Sequence, residues 1–317
     1  MNVPMLPLVG AQRIYLADCD DRGESPRTVE GKRSNLGFFI RWCQGQGLDY
    51  CHDIDLANLE LYRSHIGHLV DRRRKKRLDI ATQRNRLSAI KGFLRRLQYL
   101  RLIEHNPSEF FESPGIPRRI PRAILTEPEI ELILDHVLLY GDRGIRDRAI
   151  LETLYATGLR RMEVGRLTIT DVDFATHVVQ VNEGKGRKDR RVPIASRACH
   201  WIRRYLTDIR PQWSHEKTGP TLFLSTRGNP LTPGQLSRLG AKYIHRAGVN
   251  KPGACHVWRH SAATLMLENG AGLRQIQEML GHASIATTQI YTHLSLGQLK
   301  AVYARTHPAA RVDWDNT

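Results

Sequence analysis

Residues 106–122 read NPSEFFESPGIPRRIPR, and this stretch decides how the rest of the chain is divided. Pro107, Pro114, Pro117 and Pro121, with Gly115 among them, forbid a continuous helix. Each proline removes a backbone donor and crowds the preceding turn. The stretch reads as an interdomain linker, with one domain over residues 1–105 and another over 123–317. A chain of 317 residues is long enough to form two cores.

Upstream of the linker the periodicity is helical. In SPRTVEGKRSNLGFFIRWC, Ser25 suits an N-cap and Pro26 the first helical position. Val29, Leu36, Phe39, Ile40 and Cys43 then share a face, and QGQG ends the run. LANLELYRSHIGHLV predicts another helix, followed by the unbroken basic run Arg72, Arg73, Arg74, Lys75, Lys76 and Arg77. In TQRNRLSAIKGFLRRLQYL, Leu87, Ile90, Phe93, Leu94 and Leu97 fall on one side, and Arg84, Lys91 and Arg95 on another. A solvated basic face is the plain reading of that stripe. Beside the basic run, a surface for a nucleic-acid backbone accounts for it better, because clustered cations neutralise phosphates together.

Downstream, Thr126 is placed to cap LTEPEIELILDHV, with Pro128 in the first turn. GIRDRAILETLYATG predicts a helix ended by Gly158. HVVQVNEGKGRKDRRVPI reads as a β-hairpin, with Val178, Val179 and Val181 outbound, Gly184 and Gly186 at the turn, and Val192 and Ile194 on the return. The remainder is expected to be helical apart from short loops. The fold class is therefore mainly α in two domains: an all-helical N-terminal domain and a C-terminal α+β domain with a small antiparallel β-sheet.

A formal net charge of +16 implies a polyanionic partner, and nucleic acid is the commonest. Charge alone does not separate a nuclease from a repressor or a ribosomal protein. No apolar run approaches the ~18 residues of a membrane span, and the N-terminus lacks the basic segment and cleavage site of a signal peptide. Cys19, Cys43, Cys51, Cys199 and Cys255 are scattered and form no CxxC pair. That argues against a disulfide framework or structural zinc, and for a reducing cytoplasmic setting.

The chemistry-bearing residues lie in the second domain. In ATGLRRMEVGRL, Arg160 follows the helix-breaking Thr157-Gly158 pair, and Glu163 comes three positions later. Cations disfavour a helix N-terminus. An anion bound there would account for Arg160; an ordinary surface arginine is the plain alternative. In CHVWRHSAATLML, His256 and Arg259 share a helical face, while Trp258, Ala262 and Leu265 point toward a core. His256 and His260 have the spacing of a metal pair, but Val257 stands where a zinc peptidase needs glutamate. Neither a metal nor a cofactor is expected.

Lys185 at the hairpin tip, with His282 and Tyr291 in LGHASIATTQIYTH (residues 280–293), completes the set. Two guanidiniums can grip the non-bridging oxygens of a phosphate. A phenol becomes a competent nucleophile beside cations. A lysine can protonate a departing alkoxide, and histidines can move protons. Fixed cations then fill the role that divalent metals fill in two-metal nucleases. The inventory points to phosphoryl transfer from DNA to Tyr291.

ATGLRRMEV, GKGRKDRRVP, HVWRHSAAT, LGHASIATTQIYTH and the final His307-Pro308 follow the order and approximate spacing of a known family. The chain resembles the tyrosine recombinases, or lambda-integrase family, most closely the Xer-like branch. SPRTVEGKRSNLGFFIRW and RLSAIKGFLRRL are similar to that family's SAM-like core-binding helices. The resemblance implies that Arg160 and Arg259 clamp the phosphate, that Lys185 is the general acid on the leaving 5′ oxygen, and that His256 assists proton transfer. It implies further that His282 hydrogen-bonds the scissile phosphate and Tyr291 is the nucleophile, with Glu163 and His260 supporting. Lys188 lies close to Lys185 and competes for its role. Met162 departs from the small residue usual in the family at that position.

A site-specific recombinase is thus expected, working on double-stranded DNA through a 3′-phosphotyrosyl intermediate for integration, excision or dimer resolution. Residues 294–312 would form a helix exchanged between protomers of a homotetramer, or of a heterotetramer with a related recombinase. The alternatives are a type IB topoisomerase, a non-catalytic DNA-binding factor and a metal-dependent nuclease.

Overall fold

The computed structural model describes residues 5–71, 75–115, 123–182 and 189–281. It separates into two units, Met1–Arg118 and Arg119–Thr317.

The first unit is built on helices α1 (Leu8–Asp21), α2 (Pro26–Gly45), α3 (Leu56–His68) and α4 (Ile80–Tyr99). Helix α2 starts as its sequence dictates, with the Ser25 side chain accepting from the Thr28 N–H and Pro26 at the first position. Its buried residues are Val29, Leu36, Phe39, Ile40 and Cys43. Asp55 caps α3 and Asp79 caps α4 in the same manner. The apolar stripe of α4 is fully buried, and the Phe93 ring meets Tyr15 of α1 edge-on at 5.5 Å between centroids. Arg96 of α4 forks onto Asp18 of α1.

Two features depart from the sequence reading. Helix α1 was not marked by a cap: Pro7 precedes it and makes no side-chain cap bond. The unit is also not wholly helical. Strands β1 (Val70–Asp71) and β2 (Lys76–Arg77) pair antiparallel, so the end of the basic run lies on a small hairpin, where Lys75 adopts a positive φ of 50°. In the stretch after α4, Phe111 packs into the core of this unit and is 1% exposed.

The second unit is organised around α6 (Gly141–Thr157), which packs against α5 (Glu127–Val137), α8 (Ser196–Arg204) and α11 (Cys255–Glu268). Thr126 and Glu129 form a reciprocal capping box at the start of α5. Helix α7 (Arg161–Arg166) leads into an antiparallel sheet of β3 (Val172–Asp173), β4 (Val178–Val181) and β5 (Arg190–Pro193). The register pairs Val179 with Val192 and Val181 with Arg190. Val179, Val181 and Val192 are buried, so this face of the sheet looks into the core. Helix α8 continues through a π-helical segment, Tyr205–Ile209, into α9 (Arg210–Trp213).

The chain then differs from the expectation of helices joined by short loops. Residues 214–232 form no helix; they are held by isolated bridges, Thr168 to Thr221 and Leu224 to Pro230, with Leu222, Phe223 and Leu224 buried. Helices α10 (Pro233–Arg246), α11 and α12 (Leu273–Leu280) follow. No helix among the described residues is long and apolar enough to cross a membrane.

Replacing Phe93 by Ala should lower the stability of the first unit by about 3–5 kcal/mol, since a fully buried ring leaves a cavity that its neighbours fill only in part. Chemical denaturation of the whole chain, followed by far-UV circular dichroism, measures this as an earlier midpoint. A change below about 1 kcal/mol would show that the α1–α4 contact is not central to this core.

Candidate active site

Helix α6 ends at Thr157 because Gly158 turns left-handed, with φ of +59° and its N–H on the Leu154 carbonyl. A Cβ on Gly158 would stand 2.6 Å from Leu280, so glycine there lets the ends of α6 and α12 approach. Two residues later the chain turns into α7, with Arg160 as its N-cap. The Arg160 N–H donates to Glu163 Oε2 at 2.8 Å, and Arg160 Nη1 donates to Glu163 Oε1 at 2.9 Å.

The other end of the Arg160 guanidinium explains why it sits at the start of a helix. Nη2 donates to the Gly281 carbonyl at 2.8 Å, at the C-terminus of α12. That is the negative end of a helix dipole, where cations are favoured. The end of α12 therefore supplies a partner that offsets the unfavourable placement of Arg160 at the start of α7. Arg259 of α11 reaches the same place, donating to the Gly158 carbonyl at 2.6 Å and to the Leu280 carbonyl at 2.8 Å. Arg190, the first residue of β5, completes the collar: its Nε donates to the Met279 carbonyl at 3.2 Å, and its two terminal nitrogens donate to Glu163 at 3.0 and 2.8 Å.

Two guanidiniums, Arg160 and Arg190, therefore hold one carboxylate, and all three arginines reach the last carbonyls of α12. Burial alone would raise the Glu163 pKa. The hydrogen bonds from Arg190, those from Arg160 and the attraction of Arg190 outweigh it and bring the pKa down to about 2. Among the described residues the cluster holds three arginines and one carboxylate, which suits it to hold an anion.

His256 is exposed in the first turn of α11, one helical turn before half-buried His260; their ring centroids are 6.1 Å apart. Burial, then the neighbouring His256 and Arg259, pulls His260 down to about 4, so its imidazole is neutral at ordinary pH. Lys185, Lys188, His282 and Tyr291 lie outside the described residues. His282 follows Gly281 directly in the chain, and Lys185 precedes Arg190 by five positions.

Of the basic residues in the first unit, Arg72, Arg73 and Arg74 lie outside the described residues. Lys75, Lys76 and Arg77 are exposed on the β1–β2 hairpin, and Arg84 and Arg95 are exposed on α4. Lys91 behaves differently. It is half-buried, and its ammonium donates to the Phe111 carbonyl at 2.5 Å.

Residues 123–297 match the family model described as the phage integrase family. The chain belongs to that family. Within it the chain is Xer-like. It is 40% identical over 290 residues to the tyrosine recombinase XerC 2 of Ralstonia nicotianae, covering 90% of this chain and 82% of the relative. It is 36% identical over 308 residues to the tyrosine recombinase XerC of Pelobacter propionicus, covering 97% of each. The fold is also that of the XerH site-specific recombinase seen in a post-cleavage complex with a palindromic difH substrate. That match has a TM-score of 0.70 and 22% identity, and covers 89% of this chain and 81% of that one.

In this phage integrase domain Arg160, Glu163 and Arg259, all expected from the sequence, come together at the end of α12. Arg190 is not among the residues that the sequence singles out. Period-two alternation held the missing signal: Arg190 lies two residues before buried Val192 and opposite buried Val181, so an arginine was being aimed at the inner face.

Glu163→Gln should destabilise the chain at neutral pH by about 3 kcal/mol, because a neutral amide gives up the attraction of the arginines that holds this buried carboxylate well below its ordinary range. The sign follows from a folded pKa below the ordinary 4.5. The stabilisation is complete above about 4.5 and is lost as pH falls toward about 2. Melting curves of both proteins at pH 7, 4 and 3 should therefore converge on acidification. A gap that stays constant with pH would contradict the assigned ionisation.

Proposed function

We propose that Tyr291 is the nucleophile of a DNA strand transfer and that Arg160 and Arg259 hold the scissile phosphate. As an Xer-like member of its family the chain is a tyrosine site-specific recombinase. The observation that carries the residue assignment is the convergence of Arg160 and Arg259 on the terminal carbonyls of α12, one residue before His282.

The step follows from the charges. The Tyr291 phenolic oxygen attacks phosphorus while the bond to the 5′ oxygen breaks, leaving a 3′-phosphotyrosine and a free 5′-hydroxyl. Arg160 and Arg259 stabilise the added negative charge on the equatorial oxygens. Lys185 protonates the leaving 5′ oxygen, and His256 assists transfer of the phenolic proton. His282 hydrogen-bonds the phosphate, while Glu163 and His260 hold the arginines and the imidazole from behind. One phosphoester replaces another, so the reverse attack by a 5′-hydroxyl rejoins DNA without ATP. We assign the substrate as double-stranded DNA in the cytoplasm, bound by a tetramer of this chain or of this chain with a related recombinase. The helix expected over residues 294–312 would link the protomers.

A DNA substrate nicked beside the cleavage site traps the covalent intermediate, because the released fragment diffuses away. Wild type should accumulate a protein–DNA adduct in excess EDTA, and Tyr291→Phe should form none. Arg160→Ala and Arg259→Ala should each slow adduct formation by about 10²–10³-fold, as removing one transition-state donor does elsewhere. An adduct with Tyr291→Phe would refute the nucleophile.

The first unit supplies a separate check. Arg84→Ala and Arg95→Ala should each reduce the slope of log affinity against log salt by about one, because each removes a phosphate contact. Lys91→Met should reduce the slope by less than half as much, since its half-buried ammonium, though still charged, is turned to the Phe111 carbonyl and is not displayed on the surface as Arg84 and Arg95 are. Equal slope losses at all three positions would refute the division.

A further inference from the structure

Glu163 is the most heavily bonded side chain of the site. Its two oxygens receive four N–H groups: the Arg160 backbone, one Arg160 nitrogen and both terminal nitrogens of Arg190. That fills the roughly four lone-pair positions of a carboxylate. The two arginines share it unequally. Arg190 contributes the parallel two-bond fork, the stronger and more directional contact, while the Arg160 side chain contributes a single bond.

This asymmetry decides what Arg160 can do. Without Arg190, a carboxylate only 6% exposed would face one nearby arginine instead of two. Its attraction would turn the single Arg160 bond into a fork and draw Nη2 off the Gly281 carbonyl. A phosphate would then have to compete for Arg160 with a buried negative charge. With Arg190 in place, two guanidiniums share one carboxylate, so Arg160 keeps net positive charge for the phosphate.

Arg190 also ties chain segments together. It opens β5, the return strand of the hairpin that carries Lys185, and its Nε holds the Met279 carbonyl at the end of α12, which leads to His282. Gly281 makes room for it. A Cβ there would lie 2.9 Å from Arg190 Nε and 3.0 Å from Cζ, and its φ of +64° also favours glycine.

We infer that Arg190 is a positioning residue for strand transfer: it neutralises Glu163 so that Arg160 stays aimed at the phosphate, and it locks the base of the β4–β5 hairpin to the end of α12. This rests on the strand-transfer reading above. Arg190 need not touch DNA, so its contribution lies in the rate of phosphoryl transfer rather than in binding.

The nicked substrate and a gel-shift assay test it together. At saturating protein, Arg190→Ala should form the covalent adduct at least 100-fold more slowly than wild type, with DNA affinity within threefold. Arg190→Lys keeps the charge without the fork. It should fall between the two, and it preserves the test if the alanine variant does not fold. The decisive readout is compensation. Adding Glu163→Gln to either variant removes the charge that captures Arg160 and should speed adduct formation at least tenfold over the single variant. A purely structural arginine would also recover stability once the unpaired buried carboxylate is removed, so rates are compared at a temperature where circular dichroism shows every variant folded. A structural role then predicts no difference in adduct rate between the single and double variants.

The inference is overturned if Arg190→Lys forms adduct at the wild-type rate, if affinity falls in parallel with rate, or if Glu163→Gln gives no recovery. A wild-type chain that formed no adduct would bring down the strand-transfer reading and this inference with it. An active wild type with an equally active Arg190→Lys would remove this inference alone.

Discussion

A single buried carboxylate lets three guanidiniums gather in a space where they would otherwise repel one another. Glu163 offers two oxygens to Arg160 and Arg190, and the carbonyls of Met279, Leu280 and Gly281 offer the negative end of α12 to all three arginines. Neither source suffices alone. The carboxylate does not hydrogen-bond Arg259 directly, and helix-end carbonyls carry only partial charge. Together they draw the end of α6, the start of α7, the middle of α11, the first residue of β5 and the last turn of α12 to one point.

The geometry accounts for two glycines that a packing argument would not single out. Gly158 and Gly281 both have positive φ, and a side chain on either would strike a partner of the collar, Leu280 in one case and the Arg190 guanidinium in the other. Helix ends usually select glycine for backbone conformation. Here close approach adds a second constraint on the same residues.

Side-chain features were legible in the sequence, and main-chain features were not. The buried faces of α2 and α4 follow from their periodicity, and the Ser25 and Thr126 caps from residue type and position. Arg160, Glu163 and Arg259 are singled out by ATGLRRMEV and HVWRHSAAT, the motifs that resemble the tyrosine recombinases; on position alone Arg160 reads equally well as a surface arginine. Helix α1 carries Leu8, Ala11, Tyr15, Leu16 and Cys19 at helical spacing, but Pro7 provides no side-chain cap to announce it. The buried Leu222–Leu224 segment depends on bridges to distant residues, which no local pattern records. The partners of the arginines are carbonyl oxygens, and every residue has one. For that reason the sequence around Arg160 shows the helix that begins beside it, while the end of α12 that meets its guanidinium, 121 residues away in the chain, leaves no local mark.

The same bonds bear on how fixed charge can replace a metal. A catalytic electrostatic site works best when its dipoles are aligned before the reaction, so that little reorganisation accompanies the change in charge. Arginine suits this because its planar fork can bond protein on one edge and substrate on another, with five N–H groups in rigid relation. Arg160 spends one nitrogen on Glu163 and another on Gly281, and its side chain remains 27% exposed. Lysine, with one nitrogen on a flexible stem, could be held by the carboxylate or turned toward a phosphate but would do both poorly. The collar therefore explains the residue type as well as the charge: orientation is supplied from the protein side, and the remaining edge is left for the anion.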